Sequence, residues 1–216
     1  MIAINKKPLP NGVTITNERD YRGGIVYKML EDDQHRKCYI CEDSVHTSPN
    51  VEHLIPHGGD STLKFSWHNL FLSCNHCNKV KHDKYVGMIN PAKVNPEEFI
   101  ELSIGLDDKL REIVIVNKTK GDTDVDITIS LLNAVYNGTN TDMIESSTQS
   151  LRNKITDVLS LFYQTIEDYR QKPTDASKAT VKLELADSSL FAAFKRVMVY
   201  GIPEVHKEFL VSEADN

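Results

Sequence analysis

The chain has 216 residues, 40% of them hydrophobic and 26% charged, enough apolar material for one ordinary globular unit or for a small module joined to a larger one. Lys and Arg number 25 against 31 Asp and Glu, and the net charge of -6 excludes a protein that coats nucleic acid by bulk positive charge. The acidity is uneven: residues 1–90 hold 11 basic and 10 acidic side chains, residues 91–216 hold 14 and 21. Any nucleic-acid chemistry is therefore local and belongs to the first part.

In chain order, residues 1–20 carry Pro8, Pro10, Asn11 and Gly12 without periodicity and read as an extended arm. A short helix is expected from about 24 to 34, with Ile25, Val26, Met29 and Leu30 on one stripe, so that 1–35 form an arm and a helix. Residues 36–90 are a separate module. Within it, 51–55 has strand character and stops at Pro56, Gly58-Gly59-Asp60 makes a loop, Asn69 opens a second apolar strand to Leu72, and a polar helix runs from Cys74 to Lys84.

Residues 91–216 read as mostly helical. The runs 98–102 and 113–116 are short strands or helix pieces, whereas 125–135 has helical spacing. The longest element is expected over 142–172, with Asp142 and Glu145 as a capping box and Pro173 as the stop. A further helix or pair follows over 175–200, closed by Gly201 and Pro203. There is no internal repeat and no Gly-rich phosphate loop, so nucleotide hydrolysis is not expected of this chain. The first residues lack the apolar run of a signal peptide, and no stretch approaches the roughly 18 apolar residues of a membrane span. The expectation is a soluble cytoplasmic protein whose cysteines stay reduced.

Seven of the eight histidines and all four cysteines fall between positions 35 and 82. Cys38-x-x-Cys41 and Cys74-x-x-Cys77 have the spacing of a structural zinc site, in which four thiolates close the coordination sphere. Glu52-His53 ends the first strand of this module, and Asn78 directly follows Cys77. Zinc pinning both ends of a strand, loop, strand, helix unit would gather Glu52, His53 and Asn78 around one cleft. That set suits phosphodiester hydrolysis: a neutral imidazole takes a proton from water, and a hard cation held by carboxylate and amide oxygens stabilises the phosphorane.

The run Cys38-x2-Cys41, Glu52-His53, Trp67-His-Asn69-Leu70, Cys74-x2-Cys77-Asn78-x2-Lys81 resembles an HNH endonuclease, with Asn in the third motif position. The resemblance covers about 50 residues. It implies an α+β fold in which a zinc-stabilised ββα-metal HNH module precedes a mostly helical C-terminal region. It also implies that His53 is the general base, that Glu52 and Asn78 hold a catalytic Mg²⁺ or Mn²⁺, that Asn69 braces the loop orienting His53, and that the cut leaves a 5′-phosphate.

Over the whole chain, the N-terminal Ile-Asn-Lys segment, these blocks, Asp126-Ile-Thr-Ile-Ser-Leu-Leu-Asn133 and Arg152 are similar to the PtuB nuclease subunits of Septu anti-phage systems, some of which serve retrons. That similarity implies DNA as substrate, an ABC-type ATPase partner, and in a retron a reverse transcriptase with its DNA-RNA product. A catalytically silent zinc-knuckle binding module and a stand-alone restriction-type nuclease are the competing readings.

Lys79 and Lys81 at the start of the polar helix are expected to contact phosphate, and His57 to contact phosphate or join the metal. His76 is expected to be exposed on the knuckle, with His46, His68 and His82 at the surface and Trp67 as a packing anchor.

Overall fold

The computed structural model describes residues 1–45, 49–105 and 112–211. It is a mixed α+β structure, about half helical, with two small sheets. Among the described residues, no helix is long and apolar enough to cross a membrane.

The N-terminal arm is extended, and it is built into the core. Met1, Ile2 and Ile4 are buried, and the amino group of Met1 lies 2.6 Å from Glu42 Oε1. Lys6 donates to the carbonyls of Trp67 and Leu70 and lies over the Trp67 ring, and burial brings its ammonium pKa down to about 7. Trp67 is buried, and its indole N–H donates to Lys7 O, as a packing anchor must. Two helices follow, α1 (Glu18–Tyr21) and α2 (Gly24–Asp33), the second burying Val26 and Leu30 one turn apart.

The first sheet pairs β1 (Asn50–His53) antiparallel with β2 (Leu70–Ser73), with Glu52 opposite Phe71 and His53 opposite Leu70. All of β2 is buried, so its free edge needs partners. Gln34 supplies them as a substitute strand: its amide donates to Leu72 O and accepts from Leu72 N, and Tyr39 N–H also donates to Leu72 O. Between the strands lie a one-turn helix, α3 (Ser61–Lys64), capped by Asp60, and a 3-10 turn (Trp67–Asn69). Asn69 thus closes the turn before β2 and does not open the strand. Helix α4 (Asn75–Lys81) follows directly.

The two ambiguous runs are strands. Here β3 (Ile100–Ile104) pairs antiparallel with β4 (Ile113–Asn117), with Ile100, Leu102 and Ile113 buried and Val114 and Val116 exposed, the period of a half-buried hairpin. Next come α5 (Thr123–Asn137) and α6 (Asp142–Gln171). The cap of α6 is Thr141, whose hydroxyl accepts from Ile144 N–H; Asp142 lies inside the first turn, where its charge suits the helix dipole. The 175–200 region forms α7 (Asp175–Leu185) and α8 (Ala192–Tyr200), and Pro203 opens α9 (Pro203–Phe209) instead of merely ending α8.

One hydrophobic core runs from the arm through β2 and α4 to α5, the first half of α6 and Phe191–Phe194. A smaller one joins the far half of α6 to α7, α8 and α9 through Phe162, Ile166, Val181, Val199 and Val205. Polar stitches support the larger core at the first knuckle. Lys37 Nζ donates to Ser189 O, Ala193 N–H to Glu42 Oε2, and Lys154 pairs with Asp43. The knuckle is thereby held by the C-terminal helices as well as by its own loop.

Candidate functional site

The four cysteines come together from two places. Cys38 and Cys41 lie in a tight loop in which Cys38 N–H donates to Asp43 O, Glu42 N–H donates to Cys38 O, and Glu42 takes a left-handed φ of 62°. Cys74 is the N-cap of α4, its sulfur accepting from Cys77 N–H, and Cys77 lies in the first turn. All four sulfurs lie within 4.8 Å of one another, with Cys41 and Cys74 Sγ 3.8 Å apart. Thiolates bound at about 2.3 Å around a tetrahedral ion stand about 3.8 Å from each other, so the cluster fits zinc. Burial pushes the Cys77 thiol well above its ordinary range, and a thiolate there needs a cation beside it. Among the described residues this is the one cluster of three or more His, Cys, Asp or Glu side chains placed to share a metal.

Asn69 is buried, and its amide is fully used. Oδ1 accepts from Ile55 N–H at 2.8 Å, and Nδ2 donates to Ile55 O at 2.9 Å and Leu63 O at 3.0 Å. This clamp fixes both ends of the loop that carries His57 and α3.

His53 stands at the end of β1, with Nε2 2.9 Å from Lys64 O. A carbonyl only accepts, so Nε2 carries the proton and Nδ1 keeps its lone pair. Burial lowers the imidazole pKa below its ordinary value, leaving the ring neutral at pH 7. The His57 ring lies 4.8 Å away and the buried Tyr21 ring edge-on at 5.9 Å. His57 is itself oriented, its Nδ1 accepting from Gly59 N–H.

Glu52 and Lys81 are placed differently from expectation. Neighbouring side chains in a strand face opposite ways, and Glu52 turns inward where His53 does not. Its Oε1 lies 2.8 Å from Lys81 Nζ, which also donates to His53 O at 2.9 Å. Lys81 is 1% exposed and is therefore not a phosphate contact; one turn from Asn78, it lies on the face of α4 that meets β1. Burial raises the Glu52 carboxyl pKa against the pull of Lys81. The carboxylate expected to hold a divalent cation thus already has a cation, and Asn78, half-buried on the same helix face, offers a neutral amide. A divalent cation held by Glu52 and Asn78 would have to displace Lys81 from the carboxylate.

The remaining candidates also divide. Lys79 is exposed, with Nζ near Met143 Sδ, and is free for an anion. His76 is not exposed on the knuckle: it is half-buried, and its Nε2 bonds to Val135 O at 2.8 Å, tying α4 to α5. His68 and His82 are exposed, and His46 lies outside the described residues. Sequence reasoning missed Tyr21 and Lys64, which touch His53, and Glu18, which pairs with Lys64; α3 supplies Lys64, and the three-dimensional return of α1 brings Tyr21 and Glu18. No protein-family profile, curated protein or solved structure matches the chain.

Proposed function

We propose that the chain is an HNH-type endonuclease that hydrolyses DNA phosphodiester bonds at His53, with the Cys38, Cys41, Cys74 and Cys77 cluster holding structural zinc. The supporting observation is the state of His53: a neutral imidazole whose Nε2–H is tied to Lys64 O and whose Nδ1 is left to accept a proton. Around it, the cysteine cluster fixes the start of α4 directly after β2, and Asn69 fixes the loop between the strands. Of the residues that carry the resemblance, the four cysteines and Asn69 thus support the reading by how they are held. In this reading Nδ1 removes a proton from the attacking water, and the Lys64 carbonyl stabilises the resulting imidazolium through Nε2–H.

Effector work in an anti-phage complex, with an ABC-type ATPase and in a retron a reverse transcriptase, remains part of the proposal on the resemblance alone. The acidic C-terminal half, which exposes Leu161 on α6 and Leu183 on α7, is compatible with a protein partner. A catalytically silent zinc module is the second reading, favoured by one observation: Lys81 occupies the Glu52 carboxylate.

Plasmid nicking by purified protein, with and without Mg²⁺ or Mn²⁺, decides between them. Cleavage by wild type that is abolished in His53→Ala, with zinc content unchanged, supports the nuclease. Equal cleavage by both proteins, or none under any metal condition and none after addition of such an ATPase subunit with ATP, rejects it.

A further inference from the structure

The four-residue helix α1 returns the chain to His53. It is held rigidly for its length: Asn17 accepts from Arg19 N–H, and Asp20 Oδ2 takes the N–H groups of Thr16 and Asn17. Tyr21 is buried edge-on to the imidazole, so Glu18 and Arg22, one turn apart, come to the surface next to it. Glu18 Oε2 lies 2.8 Å from Arg22 Nη2, and Glu18 Oε1 lies 2.8 Å from Lys64 Nζ. Lys64 is also the residue whose carbonyl holds His53. Two cations thus share one carboxylate, beside the Tyr21 ring and the Lys64 carbonyl that both touch the imidazole.

The other opening beside β1 has the wrong sign for phosphate. A cleft of about 460 Å³ begins at Leu54 and Ile55, and its lining includes Asp122 and Asp124 against the single cation Lys93. A polyanion is repelled there, which leaves the α1 and α3 side, where Arg22 and Lys64 share the single carboxylate of Glu18. Exposed ion pairs such as Glu18 with Arg22 are weak, whereas a phosphate offers both cations more acceptor oxygens and Arg a bidentate fit.

We propose that Arg22 and Lys64 form a clamp for the DNA backbone phosphate next to the scissile bond, with Glu18 holding both side chains in position until the phosphate displaces it. The proposal rests on the nuclease reading of His53 and adds the substrate-binding residues that Lys81, being buried, does not supply.

The test is fluorescence anisotropy of a labelled DNA duplex with the full chain carrying His53→Ala, so that binding is read without cleavage, across a salt series. Adding Arg22→Ala and Lys64→Ala should weaken binding and lower the slope of log K against log salt by about 0.9 for each phosphate no longer neutralised. Glu18→Gln should do the opposite and tighten binding at low salt, because it frees both cations. In the cleaving protein, the Arg22 and Lys64 changes should raise KM more than they lower kcat. Unchanged affinity and salt slope in the double variant, or weaker binding by Glu18→Gln, overturns the clamp. If wild type cleaves and the clamp variants match it, the clamp alone fails; if the protein neither binds the duplex nor cleaves it, with or without the ATPase subunit and ATP, the nuclease reading fails with it. Zinc content and thermal melting of each variant separate a weakened grip on DNA from a damaged fold.

Discussion

Lys81 Nζ lies 2.8 Å from Glu52 Oε1, with the two side chains 1% and 8% exposed. An ion pair this deep gains little over an apolar pair of the same shape, because both charges have left water; breaking it from one side is what costs. Lys81→Met should therefore destabilise the protein by about 3–5 kcal/mol, leaving a buried carboxylate and an unpaired His53 carbonyl. The double variant Glu52→Gln/Lys81→Met should recover most of that stability. Urea unfolding of the zinc-loaded protein measures both, and a double variant as unstable as the single would show that the ammonium serves something other than Glu52.

This pair also marks where the sequence stopped being informative about the site. The cysteine spacing is a local pattern, and the local geometry follows it. The direction of Lys81 is not local. Along the chain, Lys79, Lys81 and Lys84 are three equivalent charges on a polar helix, and only the packing of α4 on β1 separates the buried one from the exposed ones. The same holds for His76, whose partner Val135 lies on α5, and for Glu18 and Lys64, which meet across α1 and α3.

The cysteine cluster predicts one zinc per chain. Four sulfurs at these separations, three of them buried, are costly to leave as bare thiolates and awkward to leave as thiols. Metal analysis of protein purified without chelator should give one equivalent of zinc, and Cys77→Ser should lower the stoichiometry and the melting temperature together. Since Cys74 is also the N-cap of α4, zinc removal should loosen that helix first, seen as faster amide exchange over Asn75–Lys81 than over α6. Full stability and unchanged exchange after chelation would mean that packing alone holds the knuckles.

Asn69→Ala removes the three hydrogen bonds that join the turn before β2 to Ile55 and Leu63. Leaving a buried partner unsatisfied costs about 1–3 kcal/mol per group, so a destabilisation of several kcal/mol is expected. Asn69→Asp is the sharper test. It keeps the acceptor for Ile55 N–H, removes both donated bonds and sets a carboxylate against two carbonyl oxygens, and should be at least as damaging as alanine. Equal stability of wild type and Asn69→Asp in urea would show that the loop holds itself.

The fold was legible where periodicity is long. The stripe of α6, with Leu151, Ile155, Leu159, Phe162 and Ile166 buried, repeats over enough turns to leave one interpretation. It was not legible where elements span only a turn of helix or a few residues of strand. Helix α3 is a single turn nucleated by Asp60, and β3 and β4 are five residues each, a length at which helix and strand patterns overlap until pairing decides. The burial of the arm was also hidden, since Met1, Ile2 and Ile4 form too short a run to announce a partner.

The pH dependence of cleavage tests the assignment of His53 as base. Burial depresses its pKa below the ordinary imidazole value of 6.5, so the ring remains unprotonated somewhat below that pH, and the acid limb of kcat/KM should fall below 6.5 instead of above it. The same shift acts on stability. A neutral imidazole buried with a depressed folded pKa opposes protonation, so the native state gives up stability as the pH falls from the unfolded pKa toward the folded one. Wild type should therefore lose stability faster than His53→Ala as the pH drops from about 6.5, a comparison made by thermal melting at each pH. Replacing Lys64 does not remove its carbonyl but does remove a positive charge that helps to hold the His53 pKa down, so Lys64→Ala should change KM and move the acid limb slightly upward in pH. An acid limb that moves downward with Lys64→Ala would assign the titration to a group other than His53.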